Sequence, residues 1–226
     1  MKAAIIGTGK TGSKVVELLK DYDPGIFNTS CPPTLEKLKK YDVIITFVPG
    51  NAFLELSDLL IKSNLPVVSG ATGFNWPATF SQKLQCKKLR WVHANNFALG
   101  MNLIHAMIDN LKNASKLFDS YNFTLHEIHH TQKKDSPSGT SKMWESWLGE
   151  NVSIQSDRIG DAVGTHSLTL HTEFELITIK HEALDRKIFA QGAIWAAHEL
   201  LTNHHLEYGL IDFTKLVKQT FDRKDK

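Results

Sequence analysis

The chain has 226 residues, of which 42% are apolar and 22% charged, and its formal net charge is +2. These values suit a folded chain with one large or two small domains, and they argue against extensive disorder and against a membrane span. So small a charge, with no basic run interleaved with aromatics, argues against nucleic acid as a partner. Two cysteines, Cys31 and Cys86, make neither a disulfide framework nor a metal knuckle. The apolar stretch before Gly7 is too short for a signal peptide, so a reduced cytoplasmic protein is expected.

Lys2 to Ile6 reads as a short buried strand, followed by Gly7-Thr8-Gly9-Lys10-Thr11-Gly12 and a helix with Val15, Leu18, Leu19 and Tyr22 on its apolar face. In a Gly-x-Gly-x-x-Gly turn the first glycine allows the tight turn and the second lets a pyrophosphate approach the backbone. The third lets the helix pack closely on the strand. A triphosphate-binding loop fits poorly, because Ala4 stands where that motif needs its first glycine. Strand Val43 to Val48 also ends without an acidic residue for Mg²⁺.

The turn-rich segment Asp21 to Pro33 leaves room for only a stunted second strand, around Gly25 to Asn28. A carboxylate usually ends that strand and holds the ribose 2′-OH of NAD. Asn28, Thr29 and Ser30 stand there instead. Lys10 could face a 2′-phosphate, which leans the cofactor toward NADPH, or could be a solvated helix-start lysine, so NADH stays open.

Next come helix Thr34 to Lys40, the continuous apolar strand Val43 to Val48, and a helix Ala52 to Lys62 that buries Phe53, Leu56 and Leu60. Strand Pro66 to Ser69, a second glycine turn Gly70-Ala71-Thr72-Gly73, a helix from Pro77 to Leu84 and strand Arg90 to His93 complete the alternation. Strands separated by helices imply an α/β fold with a parallel sheet wound in the Rossmann manner. Ligands of such sheets bind beyond the strands' carboxyl ends, where Gly7 to Gly12, Phe47 to Gly50, Gly70 to Gly73 and Ala94 to Phe97 fall.

After Phe97 the pattern changes to α+β. A long helix, Gly100 to about Lys116, carries Ile104, Met107, Ile108 and Leu111 on one face. Strands follow at Tyr121 to His130, His166 to Thr172 and Phe174 to His181, with the pairs Leu168 and Leu170, Phe174 and Leu176, Ile177 and Ile179 in alternation. A last helix runs from about Arg186 to Asn203. The expected organisation is a nucleotide domain over 1–98 and a second domain over 99–203.

The most polar stretch, His126 to Met143, is a strand end, a charged loop, and then Ser138-Gly139-Thr140 opening a helix with Met143, Trp144, Trp147 and Leu148. A helix mouth offers free N–H groups and a positive dipole end to an anion. Lys133, Lys134 and the imidazoles of His129 and His130 stand just upstream, which places proton donors beside an anion cradle. Either histidine alone could be a satisfied strand residue. Adjacent on a strand, the two point to opposite faces and do not chelate one ion, so no metal is expected. A hydride acceptor needs a proton, which Lys133 or an imidazole could give.

Glu127-Ile-His-His-Thr-Gln-Lys133-Lys-Asp-Ser-Pro-Ser138-Gly139-Thr140 resembles the signature of the dihydrodipicolinate reductase (4-hydroxy-tetrahydrodipicolinate reductase) family of lysine and diaminopimelate biosynthesis. Gly7 to Gly12, Gly70 to Gly73, Asn95 to Asn102 and Arg186 to Ala193 fall in the family's order, so the resemblance spans nearly the whole chain. It implies that Lys133 is the proton donor, that His129 takes part in the acid chemistry, and that His130, Ser138, Gly139, Thr140 and Arg186 grip a dicarboxylate substrate. It implies further that Gly7, Thr8, Gly9, Lys10, Thr11 and Gly12 hold the pyrophosphate of NADPH or NADH, and that Gly70, Ala71, Thr72, Asn96 and Phe97 line its nicotinamide end. A homotetramer joined through the sheet of the substrate and oligomerisation domain, and a chain end (about 204–226) that returns to the nucleotide domain, are implied as well. Thr46 departs from the family's usual Asp and Ala71 from its usual Thr, and the chain is short around Asp21 to Thr34 and Asn151 to Gly160. The alternatives are a dinucleotide-sensing module without chemistry and a related NAD(P)-dependent reductase of another acid.

Overall fold

In the computed structural model, which describes residues 1–221, the chain forms two compact units. The first comprises residues 1–99 and 187–221, and the second Gly100–Arg186. Residues 222–226 of the expected returning chain end lie outside the described residues.

The first unit is built on a six-stranded parallel sheet: β1 (Ala3–Ile6), β2 (Gly25–Phe27), β3 (Val43–Thr46), β4 (Val67–Ser69), β5 (Arg90–His93) and β10 (Gly209–Asp212), in the order β10-β5-β4-β3-β1-β2. All four residues of β1 and of β3 are buried, as expected of strands covered on both faces. Alternate residues serve two cores. Ala3, Ile5, Val43 and Ile45 pack with Val15 and Leu19 of the α1 (Gly12–Leu18) region, the alanines of α7 (Lys187–Thr202), and Leu216 and Val217 of α8 (Phe213–Phe221). Ala4, Ile6 and Ile44 pack on the other side with Leu38 of α2 (Leu35–Leu38), Phe53 and Leu60 of α3 (Gly50–Ser63), and Phe80 and Leu84 of α4 (Phe80–Cys86).

Helix α7 corrects the domain boundary expected from sequence, which put 99–203 in one domain. Its buried residues Ala190, Ala193, Ala196 and Ala197 are small enough to bring the helix close to the first unit's sheet. Gly192 sits deepest: a Cβ there would lie 1.7 Å from the carbonyl oxygen of Phe97. Gly192→Ala must therefore displace the helix or the loop after β5, at an expected cost of about 1–3 kcal/mol. A thermal midpoint equal to wild type would refute that close approach.

The second unit contains α5 (Leu99–Ser115) apart from its first residue, β6 (Tyr121–His129), α6 (Gly139–Leu148), β7 (Ser153–Arg158), β8 (Gly164–Thr172) and β9 (Leu176–Ala183). Its sheet has the order β7-β6-β8-β9, with β7 parallel to β6 and the other pairs antiparallel. One face is buried along Phe123, Leu125, Leu168 and Leu170. Strand β7 was not expected, because Ile154 is the sole apolar residue of this edge strand.

Several face assignments change. Leu18 and Tyr22 are exposed rather than packed under α1, and Met107 is exposed while Met101 takes its place beside Ile104, Ile108 and Leu111. Phe174 and Leu176 are exposed at the β8–β9 turn, which the Thr172 N–H closes on the Glu175 carbonyl oxygen. Among the described residues, no helix is long and apolar enough to cross a membrane.

Candidate active site

In the first unit the strand order reverses between β1 and β3, the point at which open α/β sheets bind ligands. Gly7 has a φ of +92° and a Cβ on it would meet the Phe47 carbonyl oxygen at 2.4 Å, while one on Gly12 would meet the Gly7 carbonyl oxygen at 1.9 Å. These two positions therefore require glycine. Gly9 has nothing within 4 Å of its would-be side chain, and Thr8, Gly9 and Lys10 are exposed, with Thr11 half-buried. This leaves bare backbone for an anion to approach. A cavity of about 500 Å³ opens beside the loop, lined in part by Gly7, Gly9, Asn28, Thr29, Phe47 and Val48. That is the size of a small-molecule site, and a nucleotide's phosphates fit a loop with no side chain over them.

The second glycine turn is fastened to the same region. Gly50 N–H donates to the Thr72 carbonyl oxygen at 2.9 Å, and a Cβ on Gly70 would strike the Phe47 ring at 2.2 Å. Ala71 is buried and Thr72 exposed. Asn96 accepts the Ala98 N–H at 2.8 Å, and Phe97 is buried, its ring meeting Phe47 edge-on. The cofactor residues expected from sequence thus share one end of the first sheet.

In the second unit, strand register assembles a polar cluster. Glu127 on β6 lies opposite His166 on β8, and His129 two residues on shares its face and lies opposite Arg158 on β7. Glu127 is fully buried, and its carboxylate accepts the Ser138 N–H at 3.0 and 3.1 Å, the Ser141 hydroxyl, and Nη2 of Arg158 at 3.1 Å. His129 Nδ1 and His166 Nε2 lie 3.9 and 3.8 Å from its oxygens. Ser138 caps α6, its hydroxyl accepting the Ser141 N–H at 3.1 Å, and His166 Nε2 sits 3.2 Å from that hydroxyl. The next two N–H groups, on Gly139 and Thr140, are first-turn donors without intrahelical acceptors, on residues that reach the surface.

The charged loop turns back on itself through Lys133 N–H to the His130 carbonyl oxygen at 3.1 Å. The half-buried Lys133 ammonium is held at 2.8 Å by both carboxylate oxygens of Asp135. His130 is half-buried just past the strand end, and Arg186 is half-buried immediately before α7.

Burial works to raise the Glu127 pKa, but hydrogen bonding from Ser138 and Ser141 outweighs it and brings the carboxyl down to about 2. Burial lowers His129, against the pull of the Glu127 charge. Burial also brings His166 down to about 4, with His129 adding to the effect and Glu127 opposing it. The folded chain therefore binds fewer protons than the unfolded chain between about pH 6.5 and 4. The stability His166 contributes is full above that window and is lost as pH falls through it, by about 3 kcal/mol. Urea midpoints across the window check this: His166→Gln should flatten the slope, and an unchanged slope would refute the assignment.

Glu127, His129 and His166 bring donor atoms within 4.8 Å of one another, a spacing a metal ion could use. The carboxylate, however, already serves N–H and O–H donors and a guanidinium, which stands where a cation's charge would go.

Sequence reasoning singles out none of Glu127, His166 and Arg158 as a site residue. Two signals are present nonetheless: Glu127 continues the inward alternation of Phe123 and Leu125, and His166 begins that of Leu168 and Leu170.

A parallel sheet with this glycine loop, joined to a separate unit that gathers proton donors beside a helix mouth, defines a nicotinamide-dinucleotide oxidoreductase. The family follows from likeness to known proteins. Residues 100–214 match the family model of the dihydrodipicolinate reductase C-terminus. The 4-hydroxy-tetrahydrodipicolinate reductase of Thermosipho africanus is 33% identical over 180 residues, 80% of each chain. That of Christiangramia forsetii is 32% identical over 88% of this chain and 92% of its own. A dipicolinate-bound dihydrodipicolinate reductase from Paenisporosarcina sp. shares the fold, with a TM-score of 0.74 and 21% identity over 94% of this chain and 97% of its own. The chain belongs to the 4-hydroxy-tetrahydrodipicolinate reductase family and is an NAD(P)H-dependent oxidoreductase.

Proposed function

We propose that the chain reduces the cyclic dicarboxylate derived from 4-hydroxy-tetrahydrodipicolinate to tetrahydrodipicolinate, the step its family supplies to lysine and diaminopimelate biosynthesis. The observation that carries the reading is the placing of two buried imidazoles and an open helix mouth around the buried Glu127 carboxylate, with the Lys133 ammonium held by Asp135 on the loop that joins them. Reduced nicotinamide, when bound, supplies the hydride. Lys133 supplies the proton from Nζ, and His129, held beside Glu127, takes part in the acid chemistry. Gly139 and Thr140 at the helix mouth, with His130 and Arg186, hold the two carboxylates. Ser138 assists through its cap, since its own N–H and hydroxyl are already engaged. Fixed donors of this kind orient the ring and stabilise negative charge without reorganising.

The residues Gly7 to Gly12 hold the pyrophosphate, and Gly70 to Thr72 with Asn96 and Phe97 form the nicotinamide end. NADPH is the preferred cofactor. After β2 the cavity is lined by Asn28 and Thr29 rather than an acid, and the Asn28 side-chain oxygen already accepts the Ser30 and Cys31 N–H groups at 3.0 and 2.9 Å. No carboxylate ends β2 to receive a 2′-OH, and the acid that does line the cavity, Glu55, stands on α3 instead. The protein acts in the cytoplasm as a homotetramer joined through the second unit's sheet, where Phe174 and Leu176 are exposed.

Freshly generated substrate mixed with the protein and either NADPH or NADH tests the reaction. Loss of nicotinamide absorbance is expected, faster with NADPH. No loss with either would overturn the proposal.

A further inference from the structure

Arg158 lies at the end of β7, outside the segment that carries Lys133, yet its guanidinium reaches both that segment and the buried carboxylate. Nη2 donates to Glu127 at 3.1 Å and to the Asp135 carbonyl oxygen at 2.6 Å, while Nε donates to the Lys133 carbonyl oxygen at 3.4 Å. Nη1 donates to the Asp157 carbonyl oxygen at 2.9 Å, which fixes the fork against its own strand. The register opposite His129 aims it this way, and Ile159 N–H continues the ladder to the His129 carbonyl oxygen at 2.8 Å. Among the described residues, the loop from residue 131 to 137 makes its other backbone hydrogen bonds near its start, from Thr131 N–H to Gly160 and from Lys133 N–H to His130. Its other end enters α6 through Ser138, whose N–H is on Glu127.

We infer that Arg158 is a positioning residue for the proton-donating lysine: it ties the backbone on both sides of Lys134 to the Glu127 carboxylate and so sets where the Lys133 ammonium stands. The inference rests on Lys133 being the proton donor. A lysine at 158 would keep the charge but could not span two carbonyls and a carboxylate, because an ammonium lacks the planar fork. Loosening a donor by about 1 Å costs on the order of 100-fold in rate.

Two measurements on the full-length protein decide it. In amide hydrogen exchange, Arg158→Gln should speed exchange across residues 131–137 and leave β8 protected as in wild type, with Arg158→Lys intermediate. In steady-state assays, Arg158→Gln should lower kcat on the order of 100-fold with KM for the dinucleotide unchanged. The double variant Arg158→Gln/Lys133→Ala should turn over no more slowly than Lys133→Ala alone. Unchanged exchange in the loop, or losses that add fully in the double variant, would overturn the inference. A wild-type protein that failed to turn over substrate would instead refute the reductase reading, and the exchange data would still decide whether Arg158 holds the loop.

Discussion

Lys133→Ala is expected to lower kcat by about 10²–10⁴-fold, the range contributed by a positioned general acid, while leaving dinucleotide affinity at the wild-type level. The two effects separate because the glycine loop proposed to take the dinucleotide, Gly7 to Gly12, belongs to the first unit and Lys133 to the second. Nζ is poised by Asp135 at 2.8 Å and by the backbone turn onto His130, so the alanine removes a fixed donor rather than a wandering side chain. Lys133→Arg sharpens the test. Arginine keeps a cation for a carboxylate but does not release its proton in proteins, so KM for the diacid should hold while kcat falls nearly as far. Fluorescence titration of NADPH with each variant, beside single-turnover rates, measures both quantities. Turnover within tenfold of wild type in Lys133→Ala would move the donor elsewhere, with His129 the first candidate.

The parts of this molecule legible in its sequence are those whose signal is local. Continuous apolar runs at Ala3–Ile6 and Val43–Thr46 mark strands covered on both sides, and the glycine loop declares itself by spacing. Lys133, His129 and the helix mouth sit within a dozen residues, so their convergence is legible in the order of residues alone. The parts that are not legible depend on partners far along the chain. Strand β7 has no alternation because it is an edge, and the alanines of α7 do not reveal which sheet they approach. Periodicity therefore puts that helix in the wrong domain. Glu127, His166 and Arg158 meet only through strand register, and a slip of one residue would send Glu127 to the opposite face. Register across segments some thirty to forty residues apart is set by tertiary packing, which periodicity within one segment does not encode.

The same register explains why Glu127→Ala should be the most damaging single change to stability in the second unit. Removing the carboxylate leaves the Ser138 N–H and the Ser141 hydroxyl without their acceptor in a buried site and takes the counter-charge from the Arg158 guanidinium. Breaking a buried ion pair by deleting one partner costs about 3–5 kcal/mol, which in a chain of this size is about 10 °C in Tm. Glu127→Gln separates charge from shape. The amide keeps one acceptor oxygen but turns an NH₂ toward groups that are themselves donors, so stability should fall nearly as far although no cavity is made. The pH dependence provides an independent check with a definite sign. With its folded pKa held at about 2, against 4.5 for the unfolded group, Glu127 adds stability that is complete above pH 4.5 and disappears as pH falls toward 2. Wild type should thus lose about 3 kcal/mol through that interval from this group, whereas Glu127→Gln, having no proton to take up there, should not. Acid-unfolding profiles that ran parallel in the two proteins would place the carboxylate outside the network.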